Sequence, residues 1–70
     1  MTNNSLQTIG RRLREAREKK HLTQSDVASG ADISTNHYAQ IERGEANASI
    51  ETLESILKVL KVKSSKILPF

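Results

Sequence analysis

Cysteine and tryptophan are missing from this 70-residue chain, and proline, phenylalanine and tyrosine occur once each. Without cysteine, neither a disulfide framework nor a thiolate metal site can hold the chain together. A single domain of this length buries a modest fraction of its surface. Its stability must come from helix packing, from a partner subunit, or from both. The want of thiols also fits a reducing cytosol. Proteins that read single strands stack bases on aromatic side chains. Only Tyr38 and Phe70 are available, and Tyr38 falls on an inward-facing stripe, so RNA is a poor candidate partner. No apolar run approaches the roughly 20 residues of a membrane span. Residues 1–5 are polar and uncharged, without the basic and apolar regions of an export signal. The expectation is a soluble, cytoplasmic protein with no membrane partner and a flexible stretch at residues 1–4. Catalysis needs groups converging in a pocket, and 70 residues of helix leave little room for one. His21 and His37 lack a cysteine or third histidine with which to bind zinc. The chain is therefore expected to be no enzyme and to carry no metal, cofactor or small-molecule ligand.

What is present is charge and helical punctuation. The net charge is +3, a weak pointer to a polyanionic partner. Six of the 11 Lys and Arg residues lie within residues 11–20, interleaved with Glu15 and Glu18. Most of these belong to a solvated helix face. Leu6, Ile9, Leu13 and Ala16 recur at helical spacing, with Gly10 inside the run as a local cost of about 1 kcal/mol. The segment at residues 23–26 matches the capping pattern [ST]-x-x-[DE]. Thr23 therefore opens a short helix that ends near Gly30. Ser34 caps a third helix, which Gly44 closes in a left-handed conformation. Ser49 caps a fourth, with Ile50, Leu53, Ile56, Leu57 and Leu60 inside it. A last turn covers residues 64–68, and Pro69 stops it. This predicts an all-α chain of four helices and a short fifth in one domain, residues 1–70. About four residues separate the second helix from the third, the spacing of a helix-turn-helix.

The third predicted helix carries the most informative side chains. Ile33, Tyr38 and Ile41 face the domain, leaving Thr35, Asn36, Ala39, Gln40 and Arg43 on the other side. Asn36, Gln40 and Arg43 follow i, i+4, i+7 spacing and point the same way. Solvated helix faces are usually rich in Glu and Lys, and this one is not. Asn and Gln pair in bidentate fashion with adenine in the major groove, and a small methyl meets the thymine methyl. Arg43 suits a phosphate or a guanine. Gln24 stands where an amide and the free N–H groups of a helix terminus face outward together, an arrangement suited to phosphate. Taken alone, either segment is also readable as ordinary polar surface.

In combination the residues are more specific. Leu22-Thr23-Gln24, Val27-Ala28, Ile33-Ser34, Ile41-Glu42-Arg43-Gly44 and residues 49–53 resemble the Cro/repressor-type, or Xre, helix-turn-helix family. The likeness runs over about residues 9–68. It implies a compact five-helix, lambda-repressor-like DNA-binding domain whose helix-turn-helix spans residues 23–43. By that resemblance Ser34, Thr35, Asn36 and Gln40 make base or groove contacts. Thr23, Gln24, His37, Arg43, Asn47 and Arg17 lie at phosphates, and Arg17 pairs with Glu42. Asp32 stands where the family usually has glycine, Ala48 where it often has proline, and His37 at a frequent tyrosine. The implied function is sequence-specific binding of a double-stranded DNA operator by a transcriptional regulator, either a restriction–modification controller or a phage-type repressor. Family members that act as antitoxins offer the rival role, binding a toxin as well as their own promoter. Paired half-sites call for a homodimer. Val59, Val62, Ile67 and Leu68, within the dimerising region at residues 49–68, and Phe70 just beyond it are the candidate interface.

Overall fold

The computed structural model describes residues 4–70. The flexible stretch expected at residues 1–4 falls at 1–3 outside the described residues, and residue 4 opens the first helix. Five helices follow: α1 (Asn4–Lys19), α2 (Gln24–Gly30), α3 (Thr35–Glu42), α4 (Ile50–Leu60) and α5 (Ser64–Ile67). Among the described residues there is no strand. No helix is long and apolar enough to cross a membrane.

The predicted caps all form. Thr23 accepts from the Asp26 backbone N–H at 3.0 Å, and the Asp26 carboxylate accepts from the Thr23 N–H at 2.9 Å. The Thr23 backbone bond, then its hydroxyl, hold the Asp26 carboxyl below its usual range. Ser34 accepts from His37 N–H and Ser49 from Thr52 N–H, both at 3.0 Å. Each oxygen satisfies one of the donors that a helix start leaves unpaired.

The four longer helices also end alike. In each, a residue at positive φ is followed by one whose N–H reaches back five residues, the Schellman arrangement. The left-handed residues are His21 (φ 59°), Asp32 (60°), Gly44 (74°) and Lys61 (56°). The returning bonds are Leu22 to Arg17, Ile33 to Ala28, Glu45 to Gln40 and Val62 to Leu57. Asp32, which stands where the family pattern has glycine, thus takes a left-handed conformation that aspartate tolerates. His21 and Lys61 do the same without the small polar side chain that eases it. Leu22, Ile33 and Val62, which follow three of these residues, pack against the core. That burial offsets the backbone cost.

Leu13, Val27, Tyr38, Ile56 and Leu60 are fully buried at the centre. α2 packs on α3 and α4, and α1 packs on α3 and α5. Two glycines permit these approaches. A Cβ at Gly10 would overlap the backbone carbonyl oxygens of Ile41 and Glu42, so α1 crosses the end of α3 at backbone contact. A Cβ at Gly30 would meet Val59 Cγ2 at 2.8 Å. Gly10 is therefore a packing residue, where sequence alone suggested only a weakened turn.

Candidate nucleic-acid interface

α3 lies with one side embedded and one side free. Tyr38, Ala39, Ile41 and Glu42 are buried. Ser34, Thr35, Asn36 and Arg43 are exposed, while His37 and Gln40 are half-buried. Ala39, expected on the outer face, instead packs inward at 9% exposure, so no methyl from it is offered outward. The outer face is left with hydroxyls, amides, an imidazole and one guanidinium. Thr23 and Asn47 are also exposed, one at the start of α2 and the other in the loop after α3.

The end of α3 is braced from beneath. Arg17, on α1, donates from Nε to Glu42 Oε2 at 2.6 Å and from Nη2 to Oε1 at 3.2 Å. Its Nη1 donates to the Leu22 carbonyl at 3.0 Å. The side chains of Arg17 and Glu42 are 13% and 3% exposed, so this is an almost dry, bidentate pair. The Gln24 amide adds a third donor to the Glu42 carboxylate, to Oε1 at 3.0 Å. Burial works to raise the Glu42 pKa. The hydrogen bonds from Arg17 and Gln24, with the Tyr38 hydroxyl close by, outweigh it and hold the carboxyl below its usual range. Burial first, and then the Glu42 carboxylate, push Tyr38 ionisation well above the ordinary phenol range. The Tyr38 hydroxyl is itself buried without a hydrogen-bond partner.

Two expected roles look different in this geometry. The Gln24 amide, expected to face outward, turns in toward Glu42, which leaves its second N–H and its carbonyl for other partners. Arg17 is committed through all three of its nitrogens and acts as a brace between α1, α2 and α3. At the free end of α3, Arg43 Nη2 meets Glu45 Oε1 at 3.0 Å, with the two side chains 52% and 56% exposed. Among the described residues no cluster of three or more His, Asp or Glu is placed to hold a metal ion.

The candidate dimer residues separate. Ile67 is buried at 2% exposure and closes the core of the chain. Val59, Val62 and Leu68 are partly covered by that core, and Phe70 is exposed. Arg12 of α1 donates to the Ile67 carbonyl at 3.4 Å, tying α5 down. Ile67 is thus removed from the expected interface by its inward register. Ile50, the first residue of the apolar run that Ser49 opens, is 76% exposed at the start of α4. It joins Leu6, Leu53, Leu57, Leu68 and Phe70 around an apolar groove of about 710 Å³.

A helix-turn-helix family model matches residues 13–67. The chain is 37% identical over 60 residues to the immunity repressor protein of Bacillus phage phi105, covering 86% of this chain and 42% of the repressor. It is 34% identical over 71 residues to control protein C.BamHI of Bacillus amyloliquefaciens, covering all of this chain and 88% of that protein. The chain thus spans less than half of the phage repressor but most of the control protein. The crystal structure of the restriction-modification controller protein C.AhdI from Aeromonas hydrophila is similar, with a TM-score of 0.86 and 27% identity. That likeness covers 90% of this chain and 96% of the controller. C.Esp1396I bound to a 25 base pair operator site gives a TM-score of 0.78 at 30% identity, covering 86% and 79%. Similar sequence, similar fold and the matched family model converge: this chain belongs to the Xre-type helix-turn-helix family.

Proposed function

We propose that the chain is a sequence-specific regulator of transcription that inserts α3 into the major groove of duplex DNA, in the manner of a restriction–modification controller or phage repressor. The carrying observation is the outer face of α3, with Thr35, Asn36 and Gln40 presented from a helix whose other side is embedded. A rigidly seated row of amides reads base edges at little ordering cost. Ser34 spends one lone pair on its cap and retains its O–H for a groove contact. Thr23, Gln24, His37, Arg43 and Asn47 surround that row and suit phosphates, which fix register without reading sequence. The operator-bound neighbour and the control-protein relative support this reading. They favour it over an antitoxin and over an enzyme. The working compartment is the cytoplasm, with the DNA.

Selection of bound duplexes from a random pool tests the proposal directly. The expected result is a symmetric site with half-sites about one helical turn, roughly 34 Å, apart. Recovery of no enriched duplex would end the reading. Within the enriched site, Asn36→Ala and Gln40→Ala should each weaken binding by about 1–3 kcal/mol and relax choice at one position. Arg43→Ala should weaken binding to all duplexes alike and flatten the salt dependence. Identical behaviour of the two classes would refute the division into readers and anchors.

The protein acts as a homodimer. The groove around Ile50, Leu53, Leu57, Leu68 and Phe70 supports this, because two exposed large apolar residues flank an apolar depression. A two-fold axis lets each copy cover the other's groove. Ile50→Glu places a charge there without touching the core. Sedimentation at about 50 micromolar should then give a dimer for wild type and a monomer for the variant. A wild-type monomer under those conditions would contradict the dimer.

A further inference from the structure

Glu45 stands out when the four helix ends are compared. In three, the residue after the left-handed position is apolar and packs on the core: Leu22, Ile33 and Val62. A hydrophobic residue there commonly completes the motif. At the end of α3 the same place holds an exposed glutamate. Its position is fixed by the backbone. Gly44 N–H donates to the Ile41 carbonyl at 3.1 Å and Glu45 N–H to the Gln40 carbonyl at 2.9 Å. That geometry presents the Glu45 carboxylate to the guanidinium of Arg43, at 3.0 Å.

We infer that Glu45 is an intramolecular competitor for the DNA phosphate that Arg43 engages. The inference rests on the reading of α3 as the DNA-reading helix. One guanidinium edge cannot serve both a carboxylate and a phosphate in full. The Schellman turn also fixes the Glu45 backbone beside Arg43, so its carboxylate stays within reach when the phosphate arrives. Binding therefore trades one anion for another and brings two like charges close together. Phosphate contacts carry no sequence information, so the handicap falls equally on operator and random duplex. Glu45 lowers the affinity of the protein for DNA in general while leaving its preference among sequences to Asn36 and Gln40.

The test is a double-mutant cycle with Arg43→Ala, Glu45→Gln and the double variant. Each is titrated against the selected operator and a random duplex from about 50 to 300 mM salt. Glu45→Gln is expected to tighten binding about three- to tenfold on both duplexes and to steepen the salt dependence. In the Arg43→Ala background the gain should shrink below about twofold, because the group competed for is gone. Thermal melts of the variants should match wild type, since an exposed pair contributes little to stability. A Glu45→Gln protein that binds no tighter than wild type overturns the inference and leaves the function intact. A gain undiminished without Arg43 overturns it too, because it reports general repulsion and no exchange of partners. Wild-type protein that binds neither duplex removes both the function and the inference.

Discussion

Arg17→Ala is expected to destabilise the fold by about 3–5 kcal/mol, the usual result of removing one partner of a buried ion pair. A domain of this size has roughly 4–10 kcal/mol in total, so a thermal melt should fall by about 15–30 °C. The loss is large because Glu42 is only 3% exposed and would keep its charge with Gln24 as its remaining strong donor. Glu42→Gln should be milder, about 1–2 kcal/mol, since an amide oxygen still accepts from Arg17. The dependence on pH separates this account from lost packing. In wild type the folded Glu42 pKa lies below its unfolded value near 4.5. The stability it contributes is complete above that value and disappears as pH falls through the folded pKa. In Arg17→Ala the strongest lowering partner is gone while burial, the largest influence, remains, so the folded pKa is expected to rise above the unfolded one. The penalty is then greatest at neutral pH and shrinks as pH falls toward 4. Urea melts of both proteins from about pH 4 to 7 read the difference directly. A gap of constant size would show that the charge is not the cause.

Gly10→Ala should be the second-largest single effect, a net loss of about 2 kcal/mol. Helix propensity alone predicts the opposite sign, a gain of about 1 kcal/mol in the interior of α1. The added Cβ must overlap the Ile41 and Glu42 carbonyl oxygens, which are backbone atoms and cannot turn aside. Overpacking against backbone that cannot yield costs about 3 kcal/mol, the upper end of the usual range, which leaves about 2 after the propensity gain. It also pushes α1 away from α3, carrying Arg17 off Glu42. A urea melt in which Gly10→Ala is the more stable protein would refute the close crossing.

These two residues mark where a sequence stops being readable. The caps at Thr23, Ser34 and Ser49 were legible because a cap is written within four consecutive residues. The reading residues Asn36 and Gln40 were legible because one helical period decides their direction. Gly10 and Gly30 were not, since what each glycine admits lies more than 20 residues along the chain. The left-handed backbones of His21 and Lys61 were missed for a related reason: the burial of Leu22 and Val62 that supports them is a tertiary fact. Ala39 was misplaced because it sits near the border of the buried side, where helical periodicity discriminates least. Ile67, expected at the interface, lies in the core, and Ile50, at the head of an apolar run, lies at the surface, for the same reason. A short turn and the first residue of a helix have too few neighbours in sequence to fix their facing. The Arg17–Glu42 pair was reached only through the family resemblance, because 25 positions separate its members.

The embedding of α3 has one more consequence. A helix of eight residues cannot persist by itself in water. This one has Tyr38 locked in the core and its last turn braced to both α1 and α2. It therefore has no route to melt separately from the rest of the domain, and its amide protons should exchange with solvent only when the whole molecule opens. The ordering entropy of the helix is settled when the chain folds, so none of it remains to be met when the helix encounters its ligand.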